Sequence, residues 1–499
     1  MCAASVAACS TSFSATPCSK DKDCGTGYVC ELVEQAPVCV KPADAPINIG
    51  QSAPVSGNQQ ALGTGMKLGI KLAFDEQNAA GGINGRQLNL VFRDDGYNAL
   101  QAEANARMLV DVQTSTNVPK CPNTATPVSN GATPAVLVPV STTALTRGPN
   151  AVLALVGDVG TPTAVRAAPV AIETGTVFFG PFTGAQALLR DMTAGPCAKY
   201  IFNVRASYIQ EARATVELFI KRGVTDYKGL MSFDQSDTFG QAGYDGLKQA
   251  AVAEFGAFPA TADPTNPITR VRYTKNDDPS VLKAVNDAET YLKAVLTSNT
   301  GNVTVGIMMT DTYGPGTTFI QQLRNWQFGA GADQTTYSMA TRLSLHFSNV
   351  SFVGPDTLAK SLVALGSYTT PAGSKPFTDG VTVSQVVPNY QSDQSDVVTR
   401  FTKANAAAAT TASFTSLEGY ISARVFIGAL LAIGGPVTPD SLVTALETLP
   451  DLGLGIGATS GYSPTNHQYS NSVWGTSILP DGTFQNLYYW TEGGTIQFF

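Results

Sequence analysis

"NAAGGINGRQLNLVFRDDGYNALQAEANARMLV", Asn78 to Val110, decides the fold. A helical pattern stops on Gly81-Gly82, where glycine supplies the positive-φ helix end. Asn84-Gly85 turns tightly into the strand "QLNLVFRDD", and an alanine-rich helix follows at once. Working outward, "INIGQSAPVSG" reads as an apolar strand ending in a Pro/Ser/Gly turn. Leu62, Met66, Ile70, Ala73, Phe74 and Gln77 then share one helical face. Strand, amphipathic helix and strand make a β-α-β unit, which demands a compact right-handed crossover.

The alternation continues downstream. "AVLALVGDVG" is a short, continuously apolar run, as in a parallel strand buried on both faces. "APVAIET" reads as a helix and "GTVFFGPFTG" as a strand. "YIFNVRA", "KGLMSFDQ", "VTVGIMMTD" and "GVTVSQVVP" are later strands, with helices such as "QEARATVELFIKRG" and "FIQQLRNW" between them. This order predicts an α/β fold of doubly wound parallel-sheet lobes. The segment from Gln113 to Asn150, rich in Thr, Pro, Asn and Val, interrupts the alternation and reads as a surface insertion.

The net charge of −7 and pI near 5.0 argue against nucleic acid as a partner. No apolar run is long enough for a transmembrane helix. Six of the eight cysteines fall within the first 39 residues: Cys2, Cys9, Cys18, Cys24, Cys30 and Cys39. The segment holding the last four is short of apolar residues and depends on cross-links to fold. Their gaps of five, five and eight residues favour disulfides over a zinc knuckle. Three connectivities are open. "SVAAC" resembles a lipobox ending at Cys9, so residues 1–9 are expected to be a truncated lipoprotein signal; the rival reading is a coincidental Ala/Cys-rich terminus. With Cys9 lipidated and Cys2 removed, four cysteines make two bridges, and Cys121 pairs with Cys197. His346 and His467 are far apart in sequence and read as structural, and no metal or cofactor is expected.

Open parallel sheets bind ligands at the carboxyl ends of their strands. Those ends are "DVGTP", "GPFTG", "DQSDTFG" and "TDTYGPG", which mix Gly with hydroxyl, acidic or aromatic residues. Such a lining suits a small polar molecule with an apolar part. There is no G-x-S-x-G, G-x-x-x-x-G-K-[ST] or H-E-x-x-H motif, and an enzyme is not expected. "GTGMKLG" is glycine-rich but lies inside the first helix, where it makes no dinucleotide fingerprint.

In "GQSAPVSGNQQALGTGMKLGIKLAFDEQNAAGGINGRQLNLVFRDDG" the chain resembles the periplasmic ligand-binding family typified by the leucine/isoleucine/valine-binding receptors of ABC importers. "ALVGDVGTPTAVRAAPVAIETGTVFFGPFTGAQ", "FNVRASYIQEA", "FDQSDTFGQAGYDGLKQA", "QVVPNYQSD" and "GYSPTNHQYSNSVW" continue the likeness in order, over about Ile47 to Phe499. The resemblance implies two lobes joined by three crossings at "FNVRAS", "QVVPNY" and "SVWGTS". The first lobe would hold 46–204 and 390–473, the second 205–389 and 474–499. Residues 10–45 would form a disulfide module and linker outside the family pattern.

Carried over by position, Thr161 and Thr183 would hold a ligand carboxylate, with Phe182 beside them. Tyr208, Phe239, Asp311 and Tyr313 would contact the ligand from the other side. The family's acidic residue for the ligand ammonium falls near Thr341 and Arg342, where this chain has no acid; Asp311, Asp237 or Glu211 would have to supply that charge. The resemblance further implies a monomeric, lipid-anchored receptor in the periplasm or at the cell surface. It would deliver a small solute, such as a branched-chain or other amino acid, an amide or a related carboxylate, to ABC permease subunits. A ligand-sensing module docked on a membrane signalling protein is the alternative.

Cys9→Ser is expected to release the protein from membranes, as followed by fractionation. Mass mapping of extracytoplasmically produced protein is expected to find Cys121 and Cys197 joined; free thiols at both would reject that bridge.

Overall fold

In the computed structural model the double glycine and the Asn-Gly pair act as their chemistry predicts. The structure describes residues 16–33, 36–41, 46–115, 144–185, 198–329, 341–457 and 461–499. Cys2, Cys9, Cys121 and Cys197 lie outside these residues, and with them the lipid-anchor and third-bridge expectations. Helix α1 (Gln60–Ala79) ends just before Gly81 and Gly82, both at positive φ. A Cβ on Gly82 would lie 2.1 Å from the Arg86 carbonyl, so only glycine fits. Asn84 and Gly85 both adopt positive φ, and Ile83 and Arg86 exchange N–H···O bonds of 2.8 and 2.9 Å across them. This is the hairpin turn that Asn-Gly favours.

The flanking strands β3 (Ile47–Ala53) and β4 (Leu88–Asp94) pair in parallel along their whole length. With β7 (Ala154–Val156), β8 (Val177–Phe179) and β9 (Ile201–Phe202) they build a parallel sheet in the order β4-β3-β7-β8-β9. The interrupting segment contributes a small antiparallel pair, β5 (Gln113–Ser115) with β6 (Ala144–Thr146).

A second sheet starts with β10 (Leu230–Gln235), β11 (Thr269–Tyr273), β12 (Val303–Thr310), β13 (Leu343–Asn349) and β16 (Val381–Gln385), all parallel. Strands β14 (Ser367–Thr370) and β15 (Gly373–Pro376) form a separate hairpin. The second sheet continues with three antiparallel strands, β17 (Ser472–Ile478), β18 (Phe484–Thr491) and β19 (Gln497–Phe498). This antiparallel edge qualifies the expectation of purely parallel lobes. The reason is local: a short turn at Asp481-Gly482 returns β17 directly onto β18, leaving no room for a crossover helix. The segment "SVWGTS", expected only as a crossing, is therefore also a sheet strand. Two crossings run side by side, where Asn203 donates to the His467 carbonyl and accepts from Tyr469 N–H, both at 2.8 Å.

The glycines of "GTGMKLG" serve packing. Helix α1 lies against the helix Phe414–Ala432, and a Cβ on Gly69 would sit 1.9 Å from the Ser416 carbonyl. On the facing helix, a Cβ on Gly419 would lie 2.5 Å from the Met66 carbonyl. The expected apolar face of α1 is buried at Leu62, Met66, Ile70, Ala73 and Phe74.

The cysteine-rich module is a hairpin of β1 (Val29–Val33) and β2 (Ala36–Val40) stapled by Cys18–Cys30 and Cys24–Cys39. It docks on the first sheet's side of the molecule. Glu31 and Arg86 form a buried ion pair, Asn84 donates to Asp21 at 3.0 Å, and Asp21 N–H donates to the Gly434 carbonyl at 3.1 Å. Removing one partner of a buried ion pair costs about 3–5 kcal/mol. Arg86→Met is therefore expected to raise amide exchange across Cys18–Val40 while β3 stays protected. Unchanged exchange in the module would mean that other contacts hold it.

Candidate functional site

Loops at the carboxyl ends of the two parallel sheets meet, and Thr161, Phe182, Thr183, Tyr208 and Phe239 gather there. Thr161 opens the helix Thr161–Glu173, whose N-cap Gly160 provides no side-chain cap. Thr183 follows the chain's exit from β8. The two hydroxyls hydrogen-bond at 2.6 Å, and Ala185 N–H donates to Thr183 at 3.2 Å. A helix N-terminus with adjacent hydroxyls is suited to an anion or a carbonyl. Phe182, next to Thr183, turns its ring toward Phe352 from the second sheet, with centroids 4.9 Å apart.

The aromatic side chains of both sheets meet around Phe352. Its ring lies 4.7 Å from Phe239 and 6.1 Å from Tyr97. Tyr208, the first residue of its helix, lies 5.6 Å from Phe239, and its N–H donates to the Gly184 carbonyl at 2.7 Å. All five aromatic residues are buried. Tyr97 and Phe352 were not singled out in sequence. Tyr97 follows the "RDDG" strand end, and it occupies the left-handed region with φ of 60°. Phe352 lies on a short 3-10 turn, where no periodicity marks it.

Beside the rings lies a buried charge cluster. The Arg205 guanidinium donates to Glu211 at 2.7 Å and to Glu418 at 3.3 Å, and it contacts the Ser351 hydroxyl. It also lies over the rings of Phe182 and Tyr208, 5.3 and 5.7 Å from their centroids. Burial works against its charge, but Glu418 and Glu211 together hold its pKa above the ordinary arginine value. Glu211 additionally accepts from Ser351 N–H at 2.8 Å and from the Ser384 hydroxyl at 2.6 Å.

At the rim, the Tyr313 hydroxyl donates to the Asn58 carbonyl, Asn58 donates to Asn276 at 3.2 Å, and Lys275 donates to the Tyr97 carbonyl at 2.5 Å. Each contact joins an element of the first sheet's side to one of the second.

A family model described as "Periplasmic binding protein" matches residues 46–151 and 148–483. The chain belongs to the periplasmic binding protein family. The Leu/Ile/Val-binding protein homolog 2 of Brucella abortus is 41% identical over 66 residues, which is 13% of this chain and 18% of that protein. The matched stretch thus spans under a fifth of that relative's length. A possible leucine/isoleucine/valine-binding protein from Rhodopirellula baltica is 28% identical with a TM-score of 0.66, covering 90% of this chain and 98% of that one. A substrate-binding periplasmic protein from Ralstonia solanacearum shares the fold at 22% identity and a TM-score of 0.61, over 88% and 99% of the two chains. Membership of this family of binding proteins implies an extracytoplasmic location.

The structure separates two predicted residues of this family member from the rest. Arg342 precedes β13, whose first residue pairs with the first residue of β12, so it stands at the opposite end of the sheet from Thr310 and Asn349. Its guanidinium donates to the carbonyls of Leu296, Asn299 and Gly301 at 2.8–3.1 Å, closing the end of the helix Asp278–Ser298. A cation is stabilised at that negative helix end. Asp311 is buried and accepts from Asn349 at 2.9 Å. Its other oxygen is tucked against Gly316, where a Cβ would approach to 2.1 Å.

His467 stacks on Phe202 at 3.8 Å and lies 3.2 Å from Glu447; His346 lies 3.3 Å from the Ser344 hydroxyl. Neither histidine enters the aromatic cluster.

Asp158, at the end of β7, accepts from Ser52 N–H at 3.0 Å, and burial pushes it up to about 8. Its folded value exceeds the ordinary value of about 3.9, so the native state binds its proton more tightly. The resulting stability is present at acid pH and is lost as pH rises through about 8. Asp158→Asn, which keeps the acceptor for Ser52, is expected to lose less stability than the parent between about pH 5 and 8. The difference is at most about 1.4 kcal/mol per pH unit in urea denaturation. Parallel stability curves would show that this carboxyl is not held neutral.

Proposed function

We propose that the chain is an extracytoplasmic solute-binding receptor. It captures a small amphiphilic carboxylate or amide, with branched-chain and other amino acids among the candidates, and delivers it to an ABC importer. The observation that carries this reading is the meeting of the Thr161–Thr183 hydroxyl pair with aromatic side chains from the facing sheet. Hydroxyls at a helix N-terminus supply polar anchoring, and rings supply the apolar wall, as small-molecule sites require.

The proposed lobes are residues 46–204 with 390–473 and residues 205–389 with 474–499. Opening them would break the rim contacts of Tyr313, Asn58, Asn276, Lys275 and Tyr97, and ligand capture would favour the closed arrangement. A monomer held to the membrane by lipid on Cys9 fits this role, with residues 10–45 as spacer. The described residues around the cleft offer hydroxyls and rings, with no histidine base beside a nucleophile, so binding without turnover is the favoured activity.

A thermal-shift screen of amino acids, amides and organic acids is expected to find solutes that raise the melting midpoint. Calorimetry with such a solute is expected to show Thr183→Val binding about 10–100-fold more weakly, since a hydrogen bond to a charged group contributes about 1.5–3 kcal/mol. Native affinity in both Thr161→Val and Thr183→Val, with lowered melting, would make the two threonines structural only and reject the site.

A further inference from the structure

We propose that the second sheet carries a further binding site, for the phosphate group of a phosphomonoester, at the end away from the cleft. This goes beyond the receptor reading and does not depend on what the cleft takes. The site is a cavity of about 620 Å³ between the hairpin β14–β15 and the amino-terminal half of β13. Leu345 and His346 in its wall pair with Val305 and Gly306, several residues before Thr310 and Asn349 at the cleft end.

The first argument is positive charge without a counter-charge. Arg222, Arg324 and Lys375 line the cavity, and Asp379 is its only carboxylate among the described residues. Asp379 is already engaged by Lys375 at 2.8 Å. Arg324 is 5% exposed, and its guanidinium donates to neutral oxygens: Gln327 Oε1 at 3.2 Å, the Asp379 carbonyl at 3.1 Å and the Leu345 carbonyl at 3.4 Å. Its Nε is buried with no acceptor. Arg222, at the end of the helix Tyr208–Lys221, forms no ion pair among the described residues, and its Nη1 is buried with no acceptor. Buried charges are ordinarily paired. Burial holds both guanidinium groups below the ordinary arginine value. Burial and these two cations push His346, between them in the cavity wall, down to about 4.

The second argument is the match of charge and shape. Three cations against one carboxylate leave two positive charges. A phosphate monoester near neutral pH carries about −1.5 to −2, which balances them, whereas a single carboxylate does not. Guanidinium groups present forked N–H donors that suit phosphate oxygens. Beside them the Tyr368 ring stacks on Phe328 with centroids 5.8 Å apart, and the Arg324 guanidinium lies 5.4 Å from the Tyr368 centroid. Both rings line the cavity and give an apolar flank to the body that carries the phosphate.

The test uses the chain's two histidines as reporters. The full chain, with carbon-13-labelled histidine, is titrated at neutral pH with inorganic phosphate, with phenyl phosphate and, at matched ionic strength, with acetate. The expected result is that both phosphates shift the His346 imidazole signal saturably and leave His467 unmoved, binding at least about 10-fold more tightly than acetate. Arg222→Gln is expected to weaken phosphate binding at least about 10-fold, through loss of a hydrogen bond to a charged group. Phosphate is also expected to raise the melting midpoint of the parent more than that of the variant. Co-sedimentation with phosphatidylcholine vesicles, with and without phosphatidic acid, separates the sources of the phosphate group. Capture that requires phosphatidic acid supports a lipid headgroup, and phosphate binding without such capture supports a free phosphorylated molecule. An unmoved His346 signal, or acetate binding as tightly as phosphate, overturns the inference. So does equal phosphate binding by the parent and Arg222→Gln, which, with a lowered melting midpoint, assigns Arg222 to the helix end alone.

Discussion

The buried guanidinium of Arg205 is the constraint on which the interlobe region depends. It sits where the chain first crosses between sheets, and its partners come from both sides. Glu418 belongs to the helix packed on α1, whereas Glu211, Ser351 and Ser384 surround the second sheet. A charge so buried must be paired, and losing one partner costs about 3–5 kcal/mol. The cluster therefore fixes the first crossing relative to both sheets. Tyr208, three residues further on, is held with its ring against Gly184, where a Cβ would approach to 2.4 Å. The aromatic contacts and the Thr183 loop inherit their positions from this arrangement.

Around this fixed centre the two sides differ in how they are held. The first side is tightened by close contact between α1 and the helix Phe414–Ala432, which glycines at 65, 69 and 419 permit. The cysteine-rich module adds to it through Glu31 and Arg86. Contacts across the rim are fewer and individually weaker: a tyrosine hydroxyl, an amide pair and one lysine.

Much of the fold was legible because its signals are local. Gly81-Gly82 and Asn84-Gly85 specify backbone conformations that few other residues tolerate, so the β-α-β unit could be read directly. The placement of Thr161, Thr183 and Phe239 just past strand ends was legible because each follows an apolar run. The antiparallel edge β17–β19 was not, since pairing direction depends on a turn at Asp481-Gly482 that looks like any surface loop. Arg342 was misplaced for a related reason: position along the chain does not say which end of a strand a residue occupies. Arg205 and Phe352 were missed because partners far away in sequence give them their roles, as in the Arg205–Ser351 contact, which spans 146 residues.

The central proposal is that the lobes close over a solute. Solution X-ray scattering tests it most directly, with the full chain measured alone and then saturated with a solute whose binding calorimetry has established. The account predicts a reversible fall in radius of gyration on saturation, recovered when the solute is dialysed away. Scattering that is unchanged at saturation would contradict it.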